Sequence, residues 1–355
     1  MQYKRLEYID SLRGFAILLI ILCHVGLWCT NIHQSETNYY HHFFNLIQIP
    51  LFFFISGFVL YKSTANWSLR YSLSFLGKKI PFLLISPLIF LFCLSYVNND
   101  NFITLLTRWD KGGYWFTFTL FEYYFIYALS LSFLFYLKIK ENKISDFLLL
   151  LIGVMLMILT IPRESNIIGF ESIALNNIIG IERSRFFLYF VIGTRVRKYL
   201  GHIEFLLDKT IFLGICIAIY FLFNIFQPAI TKILPQTIFN FTIISSAIFI
   251  LFALFKKNES SISQQTLIGR LLQNIGRKTL DIYFIHYFFI RTNINKLIPN
   301  FQDLNSPVIE LCYALMISGI IIFLSLGVST ILRLSPEISY VLFGQKYKKR
   351  QNNEN

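Results

Sequence analysis

Residues 12–30 read LRGFAILLIILCHVGLWCT, an apolar run long enough to cross a bilayer as one helix. The run carries one arginine, Arg13, near its start and one histidine, His24, eleven residues later. Eleven residues are close to three helical turns, so the two side chains share one face about 16 Å apart. An ionisable side chain inside a bilayer is costly and usually functional, and the pair therefore marks a candidate polar track through the helix.

Similar apolar runs recur along the whole chain of 355 residues, which is 55% hydrophobic and only 14% charged, with a mean hydropathy of +0.58. Soluble globular chains are about 25% charged, so this composition excludes an ordinary soluble enzyme as well as a disordered chain. We predict an all-α, polytopic transmembrane bundle of about ten helices. The predicted segments are residues 12–30, 43–61, 80–97, 114–137, 146–161, 183–199, 211–227, 237–255, 279–298 and 308–333.

The net charge is +13, and most of the 32 Lys and Arg residues fall in alternate breaks between these segments. This asymmetry predicts that both termini are cytoplasmic and argues against a nucleic-acid partner. Residues 1–340 are expected to form a single transmembrane domain, and residues 341–355 a basic cytoplasmic tail that contacts membrane lipids. No cysteine or histidine spacing indicates a metal site, so no metal is expected.

Other predicted segments also carry polar or small residues at membrane depth. The second contains Ser56 and Gly57, the fourth Glu122, and the ninth His286. Each of them has a structural alternative. Gly57 also suits close helix packing, and the histidines also suit interhelical hydrogen bonds. Glu122 could pair with His24, with an arginine or with neither.

Arg13 is also compatible with a boundary anchor whose charge reaches the interface. For His24, burial favours the neutral imidazole, which is the form that a general base needs.

Several of these stretches resemble the acyltransferase 3 family. Residues 10–14, DSLRG, with His24 behind them, are similar to its first-helix motif, and residues 50–58, PLFFFISGF, are similar to the next. Residues 114–116, 186–193 and 283–286 follow in the family's order, so the resemblance covers nearly the whole chain. It implies an integral membrane enzyme of about ten helices that moves an acyl group, usually acetyl, from cytoplasmic acyl-CoA to a carbohydrate of the cell envelope or an exported polysaccharide.

The same resemblance implies roles for individual residues. His24 would be the catalytic histidine, as general base or acyl carrier, and Arg13 its essential partner. We place Ser56 and Gly57 with the donor. Where the family often has an arginine pair before a proline, this chain has Lys78 and Lys79, which can hold a phosphate as point charges.

Glu122 is a weaker candidate for catalysis, and His286 for a proton relay. The resemblance also implies a bacterial inner (plasma) membrane location. Glycan-biosynthesis proteins are candidate partners.

Two rival classes remain open from the residues alone. A polysaccharide transporter or a flippase for lipid-linked glycans would also carry polar residues inside its helices, although no inverted repeat is visible. An accessory membrane subunit without chemistry would tolerate the loss of His24. Consumption of acyl-CoA separates an enzyme from both.

Overall fold

The computed structural model describes residues 6–29, 39–63, 65–139, 143–160, 177, 180–231, 234–290 and 307–344. These residues form helices and no strand, so the all-α prediction is confirmed for them. The α-helices are α1 Glu7–Trp28, α2 Tyr39–Leu60, α3 Leu69–Gly77, α4 Ser86–Asn98, α5 Phe102–Thr107, α6 Trp115–Tyr136, α7 Lys143–Ile158, α8 Phe187–Lys198, α9 Leu200–Leu207, α10 Thr210–Ile225, α11 Gln227–Ile230, α12 Gln236–Lys257, α13 Leu267–Arg277, α14 Thr279–Ile290, α15 Pro307–Leu332 and α16 Pro336–Phe343. A π-helical stretch, Pro81–Ile85, precedes α4, and 3₁₀ turns cover Lys111–Gly113 and Ile181–Phe186.

Five helices of the described chain are long and apolar enough to cross a membrane. They are Glu7–Trp28, Pro81–Asn98, Trp115–Tyr136, Gln236–Lys257 and Val308–Leu332. The pair α9 and α10 would make a sixth span, although its two helices are bent by 80°. Each of the ten predicted segments contains a helix, but a count of ten spans and the position of the termini stay predictions. Of the predicted tail, residues 345–355 lie outside the described part of the chain.

Several short helices begin at a side chain that satisfies their free backbone N–H groups. Ser68 accepts a hydrogen bond from the backbone of Tyr71 at the start of α3, and Thr266 accepts one from Gly269 at the start of α13. Such caps stabilise a helix end by about 1 kcal/mol. These caps define where the polar connections between the long apolar helices end and the short helices begin.

The first helix lies at the centre of the fold, with α2, α12, α13, α14 and α15 packed around it. Its contact with α13 is close because glycines face backbone on both sides. A Cβ atom on Gly14 would overlap the carbonyl oxygen of Leu272, and one on Gly276 would overlap that of Asp10. The face of α1 that carries Arg13 and His24 is therefore held in a fixed orientation.

The second helix packs most extensively against α8, again through glycines. A Cβ on Gly57 would overlap the carbonyl oxygen of Phe190, and one on Gly193 would overlap that of Phe54. This contact supports the packing alternative for Gly57, because small residues let helix backbones approach closely. It also fixes the rotation of α2 and so the direction in which Ser56 faces.

Candidate active site

One cavity of about 190 Å³ lies between α1, α2, the π-helical stretch, α6 and α14. From α1 it is lined by Arg13, Ile17 and Ile20, which follow one another at intervals of four and three residues. The next position on that face is His24, about 6 Å farther along the axis. We call this space the Arg13 cavity. Its full lining is Arg13, Ile17, Ile20, Phe52, Ile55, Ser56, Val59, Lys79, Phe82, Leu83, Phe116, Leu120, Tyr124, Thr279, Leu280 and Tyr283.

The structure thus brings together three residues predicted from the sequence: Arg13, Ser56 and Lys79. The ammonium group of Lys79 lies over three aromatic rings, 5.3 Å from the centroid of Phe75, 5.1 Å from that of Phe82 and 5.0 Å from that of Tyr124. Burial, together with the nearby charge of Lys62, lowers the pKa of Lys79 to about 8. A buried cation over aromatic faces is a strong site for an anion, because little water competes for it.

The imidazole of His24 lies in an aromatic setting of its own. Its ring stacks on Trp28 with the centroids 4.8 Å apart, and its Nε2 is 3.2 Å from the hydroxyl of Tyr287. The same hydroxyl donates to the carbonyl oxygen of Gly113 at 2.9 Å. A tyrosine hydroxyl has one proton, so Tyr287 accepts from His24. These bonds assign the proton of neutral His24 to Nε2 and its lone pair to Nδ1.

A second histidine stacks on the first. The rings of His24 and His286 are 5.5 Å apart at 19° to each other. Nδ1 of His286 is 3.0 Å from the carbonyl oxygen of Ile282, which can only accept, so this nitrogen carries the proton. The other nitrogen of His286 is buried and has no hydrogen-bond partner in the described part of the chain. It is a basic atom close to His24, as a relay requires.

The turn before α6 is tied to α14 beside these histidines. The hydroxyl of Tyr283 also donates to the carbonyl oxygen of Gly113, at 2.8 Å. Gly113 has a φ of +102°, and a Cβ there would overlap the ring of Tyr287. Because Tyr283 lines the Arg13 cavity and its ring lies 6.0 Å from His286, this turn connects the cavity with the histidine pair.

A family model for an acyltransferase domain matches residues 6–332, which is nearly the whole chain. The chain belongs to the acyltransferase 3 family. No curated protein and no solved structure matches it. The family resemblance seen in the sequence is thereby confirmed, and the chain is a membrane acyltransferase.

The structure places the remaining predicted residues of this acyltransferase 3 chain elsewhere. Lys78 is exposed at the end of α3 and does not line the Arg13 cavity, whereas its neighbour Lys79 does. Gly57 lies in the contact between α2 and α8, away from the cavity lining. Among the described residues, no group of three His, Cys, Asp or Glu could hold a metal ion.

Glu122 lies apart from His24, in a largely apolar cavity of about 590 Å³ that includes Phe125 and Leu156. Its charge acts on Lys111 and Arg183. Burial and the charge of Arg183 lower the pKa of Lys111, and the charge of Glu122 raises it. Of the alternatives that the sequence left open for Glu122, the charge interaction with Arg183 favours an arginine.

The sequence did not single out Tyr287 and Trp28, the direct neighbours of His24. Trp28 lies four residues after His24 on the same helix face, so helical spacing could have found it. Tyr287 follows His286 directly, but its contact with His24 spans 263 positions. No local pattern predicts such a contact.

Proposed function

We propose that this acyltransferase moves an acyl group, in the simplest case acetyl, from cytoplasmic acyl-CoA to a hydroxyl of a cell-envelope or exported polysaccharide. The observation that carries the proposal is the Arg13 cavity. It joins Arg13, Ser56 and Lys79 in one space, from which α1 and α14 lead to His24 and His286. A cavity with the charge that an anionic donor needs would thus lie about one helical turn from the histidine pair.

The charge of the cavity suits the donor. Its described lining includes the cations Arg13 and Lys79 and no Asp or Glu. A volume of about 190 Å³ is below the roughly 300 Å³ at which pockets for whole drug-sized ligands begin. The cavity would therefore hold only part of acyl-CoA, namely the phosphates that Arg13 and Lys79 attract, while the adenosine stays outside and the pantetheine arm extends along α1 toward His24. The exposed Lys78 lies outside the cavity and adds to the positive potential that attracts the donor.

The hydrogen bonds at His24 support two forms of the transfer step. As general base, Nδ1 takes the proton of the acceptor hydroxyl, the hydroxyl oxygen attacks the thioester carbonyl, and the carbon–sulfur bond breaks. The CoA thiolate then takes the proton back from the imidazolium. As acyl carrier, Nδ1 attacks the carbonyl itself and the carbon–sulfur bond breaks, so that CoA leaves as the thiolate. In a second step the oxygen of the acceptor hydroxyl takes the acyl group from Nδ1, and the hydroxyl proton passes to the thiolate. In both forms the hydroxyl of Tyr287 accepts a hydrogen bond from Nε2–H of His24. This bond favours the tautomer in which Nδ1 carries the lone pair.

A chain of ten crossings with both termini in the cytoplasm, in a bacterial inner membrane, fits this proposal. In that orientation Arg13 and Lys79 lie toward the cytoplasm, where acyl-CoA is made. His24 lies deeper, toward the external side. The donor and the acceptor would then approach the histidine pair from opposite faces of the membrane.

The test compares the protein with His24→Ala and with His202→Ala, an exposed histidine on α9, at matched abundance in lipid nanodiscs. Radiolabelled acetyl-CoA is supplied with an exported polysaccharide, and ester-linked label is counted. We expect the His24 variant to lose at least about 100-fold in transfer rate, since positioned bases contribute roughly 10²–10⁴-fold. His202→Ala should be unchanged.

Label bound to the protein after rapid denaturation at neutral pH, where an acyl-imidazole hydrolyses more slowly than in acid, would identify the acyl carrier form. Its absence during turnover under the same conditions would identify direct transfer. Transfer that persists in His24→Ala contradicts the assigned role. A protein that consumes no acyl-CoA but moves the polysaccharide across the bilayer is a transporter.

A further inference from the structure

A second polar cavity, of about 320 Å³, has no part in the donor site. It lies between the first half of α2, the turn before α6, the 3₁₀ turn before α8 and the start of α12. We call it the Asn240 cavity. The polar groups of its lining are Asn45, Glu182, Arg183, Arg185, Thr237 and Asn240, and its aromatic groups are Trp109, Trp115, Phe186, Tyr189 and Phe241.

This cavity lies end to end with the Arg13 cavity along α2. Residues 45–50 of the helix contribute to the Asn240 cavity, and residues 52–59 to the Arg13 cavity. On α6, Trp115 lines the former and Phe116 the latter. The ring of Phe53, 4.8 Å from Phe116 and 5.9 Å from Phe186, forms the partition between them. Two compartments separated by one layer of aromatic rings suit two substrates.

One buried side chain on the wall of the Asn240 cavity has an unsatisfied polar group. Thr237 is only 4% exposed, and its hydroxyl has no hydrogen-bond partner among the described residues. Nearly all buried polar atoms are hydrogen-bonded, so an unpaired hydroxyl on a cavity wall indicates a group that binds there. Asn240, one turn along α12, lines the same wall and adds an amide with both donor and acceptor capacity. This wall is suited to a partner rich in hydroxyl groups.

The rest of the lining is aromatic and cationic. The guanidinium of Arg183 lies 4.4 Å from the ring centroid of Trp115 and donates to the carbonyl oxygen of Trp109, so it fixes both indoles. Trp109 itself is 61% exposed. Exposed indole faces pack against the C–H faces of sugar rings. Arg185 adds a second cation to the one carboxylate, Glu182, so the part of the lining that the structure describes has a net formal charge of +1.

We propose that the Asn240 cavity binds the acceptor, and that this acceptor is an acidic saccharide. The sugar ring packs on Trp109, its hydroxyls bond Thr237 and Asn240, and its carboxylate pairs with Arg185 in the planar geometry that arginine favours. The assignment of this saccharide as the acceptor rests on the proposed acyl transfer. The binding of a saccharide rests only on the lining of the cavity.

The experiment therefore measures binding without the donor. Full-length protein in nanodiscs is titrated with a tetramer of galacturonic acid or with a tetramer of galactose, and binding is followed by tryptophan fluorescence. Arg185→Gln and Thr237→Val are the test variants. Their matched controls are Arg270→Gln, an exposed arginine on α13, and Thr242→Val, whose hydroxyl bonds the carbonyl of Ile238 on the same helix α12.

We expect the acidic tetramer to bind at least about tenfold more tightly than the neutral one. Arg185→Gln should weaken acidic binding about tenfold to 100-fold and remove the preference, because it deletes a charged hydrogen bond. Thr237→Val should weaken both tetramers about threefold to tenfold, and the controls should stay within about twofold. Equal binding of both tetramers, or no fluorescence change at millimolar concentrations, overturns the inference even if acyl transfer is intact. A protein that binds the acidic tetramer but does not consume acyl-CoA keeps the saccharide site and loses the acyltransferase proposal.

Discussion

Two groups of largely buried cations in this molecule differ in whether a carboxylate lies beside them. In one, Asp146 on α7 accepts hydrogen bonds from Arg195, from Lys198 at 2.8 Å and from Tyr199. Arg195 also donates to the hydroxyl of Tyr127 at 2.8 Å. The charges of this Asp146 cluster are thus held by other side chains of the fold. The Arg13 cavity has two cations and no carboxylate in its described lining.

This difference is the one expected between a structural ion cluster and the binding site proposed at the Arg13 cavity. Charges taken out of water must be compensated, either by the protein or by something that it binds. In the Asp146 cluster the carboxylate lies against both cations and connects α7 to α8. In the Arg13 cavity, burial and the nearby charge of Lys62 lower the pKa of Lys79, so its ammonium group is less stable there than in water. An anionic donor would stabilise the charge of Lys79.

The largest effect should come from breaking the Asp146 cluster. Asp146→Asn removes the carboxylate that two buried cations share, and loss of one partner from a buried pair costs about 3–5 kcal/mol. We expect a matching fall in the free energy of unfolding, measured by denaturant titration in detergent micelles. The control is Asp208→Asn, whose carboxylate is 65% exposed and 3.4 Å from Lys256. It should cost about 1 kcal/mol or less.

A result in which both variants unfold alike would contradict the distinction between the two groups of cations. The same result would follow if Asp146 were dispensable for packing α7 against α8. Donor binding by Asp146→Asn that has not unfolded should be unchanged, since the cluster contributes no residue to the lining of the Arg13 cavity.

Substitutions of the adjacent lysines 78 and 79 should give the next largest effect. This effect should be on donor binding and not on stability. Lys79→Gln should weaken binding of a non-transferable thioether analogue of acyl-CoA about tenfold to 100-fold, because a charged hydrogen bond contributes about 1.5–3 kcal/mol. It should not lower stability, because the fold gives Lys79 no carboxylate in the cavity lining. Lys78→Gln, at an exposed position, is the matched control and should change binding by less than about threefold. Equal losses in both variants would mean that the phosphates are held outside the cavity.

The sequence predicted the parts of this site that depend on helix periodicity. The spacing of Arg13 and His24 placed them on one face, and the cavity lining includes Arg13, Ile17 and Ile20 of that face. The all-helical class followed from the apolar runs. Both features are local, because 3.6 residues per turn and the width of a bilayer determine them.

The sequence could not predict contacts that depend on how distant helices meet. It treated Lys78 and Lys79 alike, and only the turn between α3 and the π-helical stretch sends one into the cavity and the other to the surface. It left the partner of Glu122 open, and only the folded arrangement brings the charges of Arg183 and Lys111 near that carboxylate. Gly57 had two alternatives in the sequence, and its neighbour across the helix contact, Phe190, is 133 positions away.

The pH dependence of donor binding tests whether the charge of Lys79 contacts the donor. Lys79 has a pKa of about 8, so it is charged at pH 7 and about nine-tenths neutral at pH 9. We expect donor affinity to be near its full value at pH 7, to be about halved at pH 8 and to fall by up to about tenfold at pH 9. Lys79→Arg, which stays charged, should bind with no such dependence. Stability should change in the opposite direction, since between pH 8 and 10.5 the unfolded chain binds the Lys79 proton more tightly and unfolding becomes harder.

A donor affinity that is flat from pH 7 to 9 in the unmodified protein would contradict an anionic contact at Lys79. A decline that persists in Lys79→Arg would assign the titration to another group. The binding measurement uses the thioether analogue, so changes in the rate of transfer do not enter it.

The smallest effect should come from removing the Tyr287 hydroxyl, which accepts the hydrogen bond from Nε2–H of His24. Tyr287→Phe removes the acceptor at 3.2 Å from Nε2 and frees the imidazole to change tautomer. Loss of one neutral hydrogen bond corresponds to about threefold to tenfold, and we expect kcat to fall by that factor while KM for the donor stays constant. Tyr283→Phe is the matched control, because it also loses a bond to the carbonyl oxygen of Gly113 but has no hydrogen bond with His24. If the two variants lose kcat equally, the turn at Gly113 rather than the tautomer of His24 is what Tyr287 maintains, and Nδ1 is no longer assigned as the reacting atom.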